Sequence, residues 1–151
     1  MLLISHRGNT SGPNPDRENH PEYLDQAINQ GFDVEVDIRG NLIDGFWLGH
    51  DEPQYEVSTE WIFERSRFLW LHAKSLDTLF TFTSQLTGVH CFWHQNDSYT
   101  LTNTGYIWTY PGKTLTPQSI CVMPEKVPNF YSTDDLTDCF GICTDFVESY
   151  R

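Results

Sequence analysis

Val34-Glu35-Val36-Asp37-Ile38 alternates apolar and acidic residues without a break. In a β-strand successive side chains point to opposite faces, so Val34, Val36 and Ile38 share one face and Glu35 and Asp37 share the other. The apolar face belongs under helices. That leaves two carboxylates on the inner side of a curved sheet, near the strand's end. Two carboxylates in one apolar setting repel each other and are costly to bury. A divalent cation removes both penalties. A half-exposed strand with acidic positions in solvent explains the same pattern, and this stretch alone does not separate the two.

Working outward, apolar runs predict strands over residues 2–5, 33–39, 68–73, 89–93, 106–109, 119–123 and 140–143, with a further short strand over 46–48 after the Asp44-Gly45 turn signal. Pro21, at a first helical position, opens a helix over 22–30 that Gly31 closes. Ser58 caps a helix over 59–66, with Glu60 in its first turn. Ser75 caps another over 76–86, which ends at Gly88. Strand and helix therefore alternate, which implies a parallel sheet with right-handed crossovers. Later connections are too short for full helices; residues 114–118 and 133–138 hold a turn or two each. A full eightfold barrel takes about 250 residues. The expected fold is α/β, a reduced TIM-like (β/α) barrel of about seven or eight mainly parallel strands with trimmed helices, its wall closed or else open and irregular, as one domain over residues 1–151.

The formal charge is -12, which repels nucleic acid and anionic lipid and makes a large polyanion an unsuitable substrate. A small phosphate-bearing molecule is compatible, because a bound metal and a few cations reverse the field locally. Aromatic residues make up 15% of the chain, a globular and not a disordered composition. No run reads as a membrane span, and no basic region precedes the apolar start at Met1 to Ile4, so a cytoplasmic protein without membrane insertion is expected. Cys91, Cys121, Cys139 and Cys143 form no C-x-x-C pair and read as free buried thiols. An unclosed barrel edge would invite a second copy, a homodimer.

Three more groups fall at strand ends. His6-Arg7-Gly8 follows the first strand: glycine permits a sharp turn, arginine offers a planar fork for phosphate oxygens, and histidine exchanges protons near neutral pH. Gly49-His50-Asp51 follows Phe46-Trp47-Leu48. In Trp70-Leu71-His72-Ala73-Lys74, parity places His72 and Lys74 on one face, and a lysine facing inward is costly unless an anion awaits it. Singly, each reads as a turn or a hydrogen-bonded core histidine. Jointly, they meet at the C-terminal strand ends, where barrel active sites are built.

In their order, His6-Arg7-Gly8, Glu18-Asn19, Glu35-x-Asp37 and His50-Asp51 resemble the glycerophosphodiester phosphodiesterase family, within the phosphatidylinositol-phospholipase-C-like phosphodiesterase superfamily. Gly141-Ile142-Cys143-Thr144-Asp145 looks like the family's closing strand. The resemblance implies a short, divergent phosphoric diester hydrolase. His6 and His50 would be its acid–base pair, and Glu35 and Asp37 would be ligands to Mg²⁺, or to Ca²⁺ or Mn²⁺. Lys74 matches a lysine of the family, but His72 stands where the third ligand is a carboxylate. Either His72 ligates and softens the site towards Mn²⁺, or it does not and the site is weakened. Arg7 and Lys74 would bind the phosphate of a small phosphodiester, with Glu18, Asn19 and Asp51 behind them.

Trp93, His94 and Asp145 are further pocket candidates, and Tyr106 to Gly112 offers aromatic surface for stacking. Lys113 and Glu125 read as loop residues or pocket contacts, and Asp134, Asp135 and Asp138 as a solvated face. Two other functions fit the same residues: a phosphodiester lyase forming a cyclic phosphate, and a non-catalytic barrel that binds a phospho-ligand.

Overall fold

A computed structural model describes residues 1–151. In chain order the elements begin with β1 (Leu2–His6), α1 (Pro21–Asn29), β2 (Asp33–Asn41), β3 (Gly45–Leu48), β4 (Tyr55–Val57) and α2 (Thr59–Glu64). They continue with β5 (Leu69–Ala73), α3 (Leu76–Phe80), β6 (His90–Phe92), β7 (Tyr99–Leu101) and β8 (Ile107–Thr109). The last are β9 (Ser119–Val122), α4 (Thr133–Asp138) and β10 (Gly141–Thr144). Helix starts follow the cap chemistry. The His20 side chain accepts from the Glu22 amide ahead of α1, Ser58 accepts from Trp61 and Ser75 from Thr78. After Phe80 the third helix widens into a π-helical turn over Thr81–Gln85 and does not continue as one α-helix.

The architecture is mixed α/β, with all ten strands in one sheet. Strands β6, β5, β2, β1, β10, β9 and β8 run parallel in that spatial order. Antiparallel partners join at two places: β3 and β4 fold back on the far half of β2, and β7 pairs with β8. The α/β class and a parallel series of seven strands agree with expectation, but a barrel is not formed. The sheet has ten strands, is mixed, and is not closed, because β6 and β8 share no ladder. The cause lies between β6 and β8. That connection carries the antiparallel strand β7 in place of a crossover helix, and Asn103 stitches it to β6 through its amide on the Cys91 carbonyl at 2.9 Å. Strands β4 and β7 were not expected from the sequence.

Side-chain parity divides the sheet into two faces. Val34, Val36, Ile38, Leu69, Leu71 and Ala73 point outward and are buried with Leu24 and Ala27 of α1 and Ile62 of α2. Ile4, Trp70, Phe92, Trp108, Ile120 and Cys143 point inward and form a second, largely aromatic core. Its centre is Phe92 stacked on Trp108 at 4.3 Å. On β1, β2 and β5 the inward residues nearer the C-terminal strand ends are polar, His6, Glu35, Asp37 and His72, whereas β6 and β9 end on the apolar Phe92 and Val122. The inner face therefore has an apolar floor and a charged upper layer. No helix is long and apolar enough to cross a membrane.

At the opposite end of β2, Asp33 accepts a 2.9 Å hydrogen bond from Trp70 Nε1. Burial raises its carboxyl from an ordinary 3.8 to about 6, against the smaller opposing effects of Trp70 and Arg67. Between those values the native state binds more protons than the unfolded state. Stability therefore falls as pH rises from about 4 to about 6, and the penalty stays at full size above that. Asp33→Asn should raise the melting temperature at pH 7.5 and change it little at pH 4. An unchanged or lower value at pH 7.5 would contradict this assignment.

Candidate functional site

Glu35 and Asp37 are 2% and 0% exposed on the inward face of β2, and β5 lies alongside with Asp37 opposite His72. Ligand atoms of Glu35, Asp37 and His72 all lie within 4.8 Å of one another. His72 Nδ1 is 3.2 Å from Asp37 Oδ1 and 3.6 Å from Glu35 Oε1. Asn19 grips Asp37 from two sides: its Nδ2 donates to Oδ2 at 3.0 Å and its Oδ1 accepts the Asp37 amide at 2.9 Å. Arg7 Nε adds an ion pair to Oδ2 at 2.8 Å, and Lys74 Nζ lies 3.4 Å from Oδ1. Asp37 Oδ1 and Glu35 Oε2 are buried and meet only ion-pair partners, His72 and Lys74 for the first and His6 for the second. The two buried carboxylates and the imidazole nitrogen form a donor set that can hold a metal ion, although His72 Nδ1 and Lys74 Nζ already stand 3.2 and 3.4 Å from Asp37 Oδ1 as an ion-pair cluster.

The electrostatics follow from this crowding. Burial favours the neutral form of Asp37, but His72, Arg7 and Lys74 outweigh it and hold the carboxyl well below its usual range. Burial would also lower His72, yet Asp37 and Glu35 hold it up at about 9. A dication and the Nδ1 proton therefore compete for one lone pair.

His6 ends β1 on the same face. Its Nδ1 is 2.7 Å from Asp145 Oδ1 just past β10, and its Nε2 is 3.8 Å from Glu35 Oε2. Burial would lower its pKa; the Asp145 hydrogen bond and the Glu35 charge prevail and raise it. Asn9, fully buried, donates to Asp145 at 2.8 Å and to Glu18 at 2.9 Å. Glu18 also accepts from Arg7 at 3.2 Å. Arg7 and Asn19 both have left-handed backbones, φ +54° and +62°, and are joined by a hydrogen bond from the Asn19 amide to the Arg7 carbonyl. Such conformations are uncommon outside glycine and cluster at functional sites. Glu125 positions Asp145 by accepting its amide and the Thr144 hydroxyl.

His50 comes from the turn after β3. Gly49 stands at φ +143°, and a Cβ there would meet the Glu52 carbonyl oxygen at 2.2 Å, so only glycine fits. The Arg39 guanidinium donates to the Gly49 carbonyl at 3.2 Å and the His50 carbonyl at 2.6 Å. His50 Nδ1 pairs with Asp51 Oδ1 at 2.7 Å.

His6, Arg7, Glu35, His50, His72, Lys74 and His94 line one cavity of about 590 Å³ at the C-terminal ends of the parallel strands. Trp108, Tyr110 and Met123 supply part of its apolar wall. Glu18, Asn19 and Asp51 line an adjoining polar cleft of about 210 Å³. The candidates are not all brought together. Trp93 packs against the outer core and does not line the cavity, because it has the parity opposite to Phe92 and His94. Lys113 is also outside the cavity, and Tyr106 packs against Trp70 and Phe140 in the inner core. The four cysteines are free and buried; Cys91 and Cys121 are pushed up to about 12 by burial, which suits core residues and not nucleophiles. Asn9 and Arg39 carry no sequence signal that marks them as supports of the site.

No protein-family model matches the chain, and no curated protein or solved structure is significantly similar to it. What the arrangement can do chemically rests on its own geometry: a buried carboxylate–imidazole group that could hold a metal ion, two cations, and two histidines each beside a carboxylate, around one cavity.

Arg39→Met keeps the aliphatic stem and removes the clamp on the His50 turn. Hydrogen exchange of residues 49–54 should accelerate by the equivalent of about 1.5–3 kcal/mol of local opening, while the parallel strands stay protected. Unchanged exchange in that turn would show that Arg39 does not hold it.

Proposed function

We propose that this protein is a metal-dependent phosphodiesterase that cleaves a small, glycerophosphodiester-like phosphodiester by acid–base catalysis at His6 and His50. The observation that carries this reading is the shared construction of the two histidines. Each has Nδ1 2.7 Å from a carboxylate oxygen, Asp145 for His6 and Asp51 for His50, and both line the cavity that holds Glu35 and His72. The buried Asp145 carboxylate fixes the His6 ring and leaves Nε2 to move the proton; the Asp51 carboxylate, open to solvent, orients His50 at the cavity rim in the same sense. The ordered resemblance to the glycerophosphodiester phosphodiesterase family supports the same assignment, with the open sheet as a reduced, unclosed relative of that family's barrel.

Glu35, Asp37 and His72 would hold the dication, which when bound stabilises negative charge on the phosphate. Arg7 and Lys74, on the cavity wall, would bind the remaining phosphate oxygens and offset charge that develops in the transition state. One histidine takes the proton from the nucleophile and the other gives a proton to the leaving oxygen. Asn19 holds Asp37 in place, and Asn9 and Glu125 hold Asp145, so both ends of the site are fixed by residues away from the reacting atoms. The apolar floor of Phe92 and Trp108 lowers the local dielectric and strengthens these interactions.

The test is a panel of small phosphodiesters assayed with Mg²⁺, Mn²⁺ and Ca²⁺. Turnover should show a bell-shaped pH dependence and fall about 10²–10⁴-fold in His6→Ala and again in His50→Ala. Phosphorus NMR of the product separates hydrolysis from release of a cyclic phosphate. Near-full activity of either variant would overturn the two-histidine scheme.

A further inference from the structure

The third position of the metal centre is occupied by a nitrogen, and its orientation is set from behind. His72 Nε2 is 2.9 Å from the His94 main-chain carbonyl oxygen. A carbonyl only accepts, so Nε2 carries the hydrogen. The ring is also stacked on Phe92, with centroids 5.1 Å apart and planes 10° apart. These two contacts turn Nδ1 towards Asp37 and Glu35. An outward ring nitrogen hydrogen-bonded to a carbonyl is the usual support of a metal-ligating histidine.

The charge around the centre points the same way. Arg7 at 2.8 Å and Lys74 at 3.4 Å from Asp37 are two fixed cations against the two carboxylates. Mg²⁺ and Ca²⁺ depend on oxygen ligands and on net negative charge, and Ca²⁺ takes six to eight oxygens. Transition dications accept imidazole readily and bind N/O sites more tightly, Zn²⁺ above Mn²⁺.

We propose that Glu35, Asp37 and His72 form a centre selective for first-row transition dications, bound through His72 Nδ1, over Mg²⁺ and Ca²⁺. This rests on the metal-centre part of the proposed function and not on the chemistry of His6 and His50.

The test uses metal ions alone with the intact protein labelled with ¹⁵N-histidine. One equivalent of Zn²⁺ should move the His72 Nδ1 resonance while Nε2 keeps its proton. Calorimetric titration should rank Zn²⁺ above Mn²⁺, and both at least an order of magnitude above Mg²⁺ and Ca²⁺. Glu35→Gln should remove the one-equivalent site. His72→Asp, which restores three carboxylates, should narrow the preference of Zn²⁺ over Ca²⁺. Mg²⁺ or Ca²⁺ binding as tightly as Zn²⁺ in the wild type would overturn the inference, as would Zn²⁺ binding that leaves His72 unmoved or persists in Glu35→Gln. Zn²⁺ held at His72 with no phosphodiester cleaved would count against the catalytic reading while leaving this one standing.

Discussion

Two carboxylates on one face of one strand, buried a residue apart, dominate the energetics of this molecule. An isolated buried charge costs several kcal/mol even after relaxation, and two of like sign cost more. Glu35 and Asp37 are tolerated because the surrounding residues answer them. Asn19 and Arg7 take one oxygen of Asp37, Lys74 and His72 stand at the other, and His6 and His72 stand at Glu35. The left-handed backbones of Arg7 and Asn19 follow from the same demand, since the turn after β1 must deliver a guanidinium and an amide to one carboxylate.

The apolar floor gives this arrangement its setting. Phe92 stacks on both His72 and Trp108, so the charged layer rests on aromatic rings and opens into the cavity. Removing one partner from such a network leaves an uncompensated buried charge, and its members therefore act as a unit. The antiparallel additions serve the site too. The fold-back from β2 into β3 carries His50 to the cavity rim, a placement that a simple alternation of parallel strands and helices would not produce.

Much of this is legible in the sequence wherever period-two alternation operates. Glu35 and Asp37, and His72 and Lys74, fall on the inner face by parity alone, and the same rule applied to Phe92 places His94 inward and Trp93 outward. The pairing of His6 with Asp145 spans 139 residues and depends on β1 lying beside β10, which no local pattern specifies. Asn9 and Arg39 act through hydrogen bonds to residues distant along the chain or to main-chain carbonyls, so a buried asparagine looks like a turn residue and a clamping arginine like a strand-end charge. Strands β4 and β7 are three residues each and are held by their neighbours and not by propensity. The short later connections point to an irregular wall, but the alternation of the first half does not announce that β7 replaces a helix in the second.

Anomalous diffraction from crystals grown with Mn²⁺ or Zn²⁺ decides whether Glu35, Asp37 and His72 are a metal centre. A single strong peak is expected, enclosed by Glu35, Asp37 and His72, with Nδ1 of His72 facing it. A peak elsewhere, or none there with Lys74 and His72 still closing on both carboxylates at full metal concentration, would mean that the two acids are a structural ion-pair network and not a metal centre.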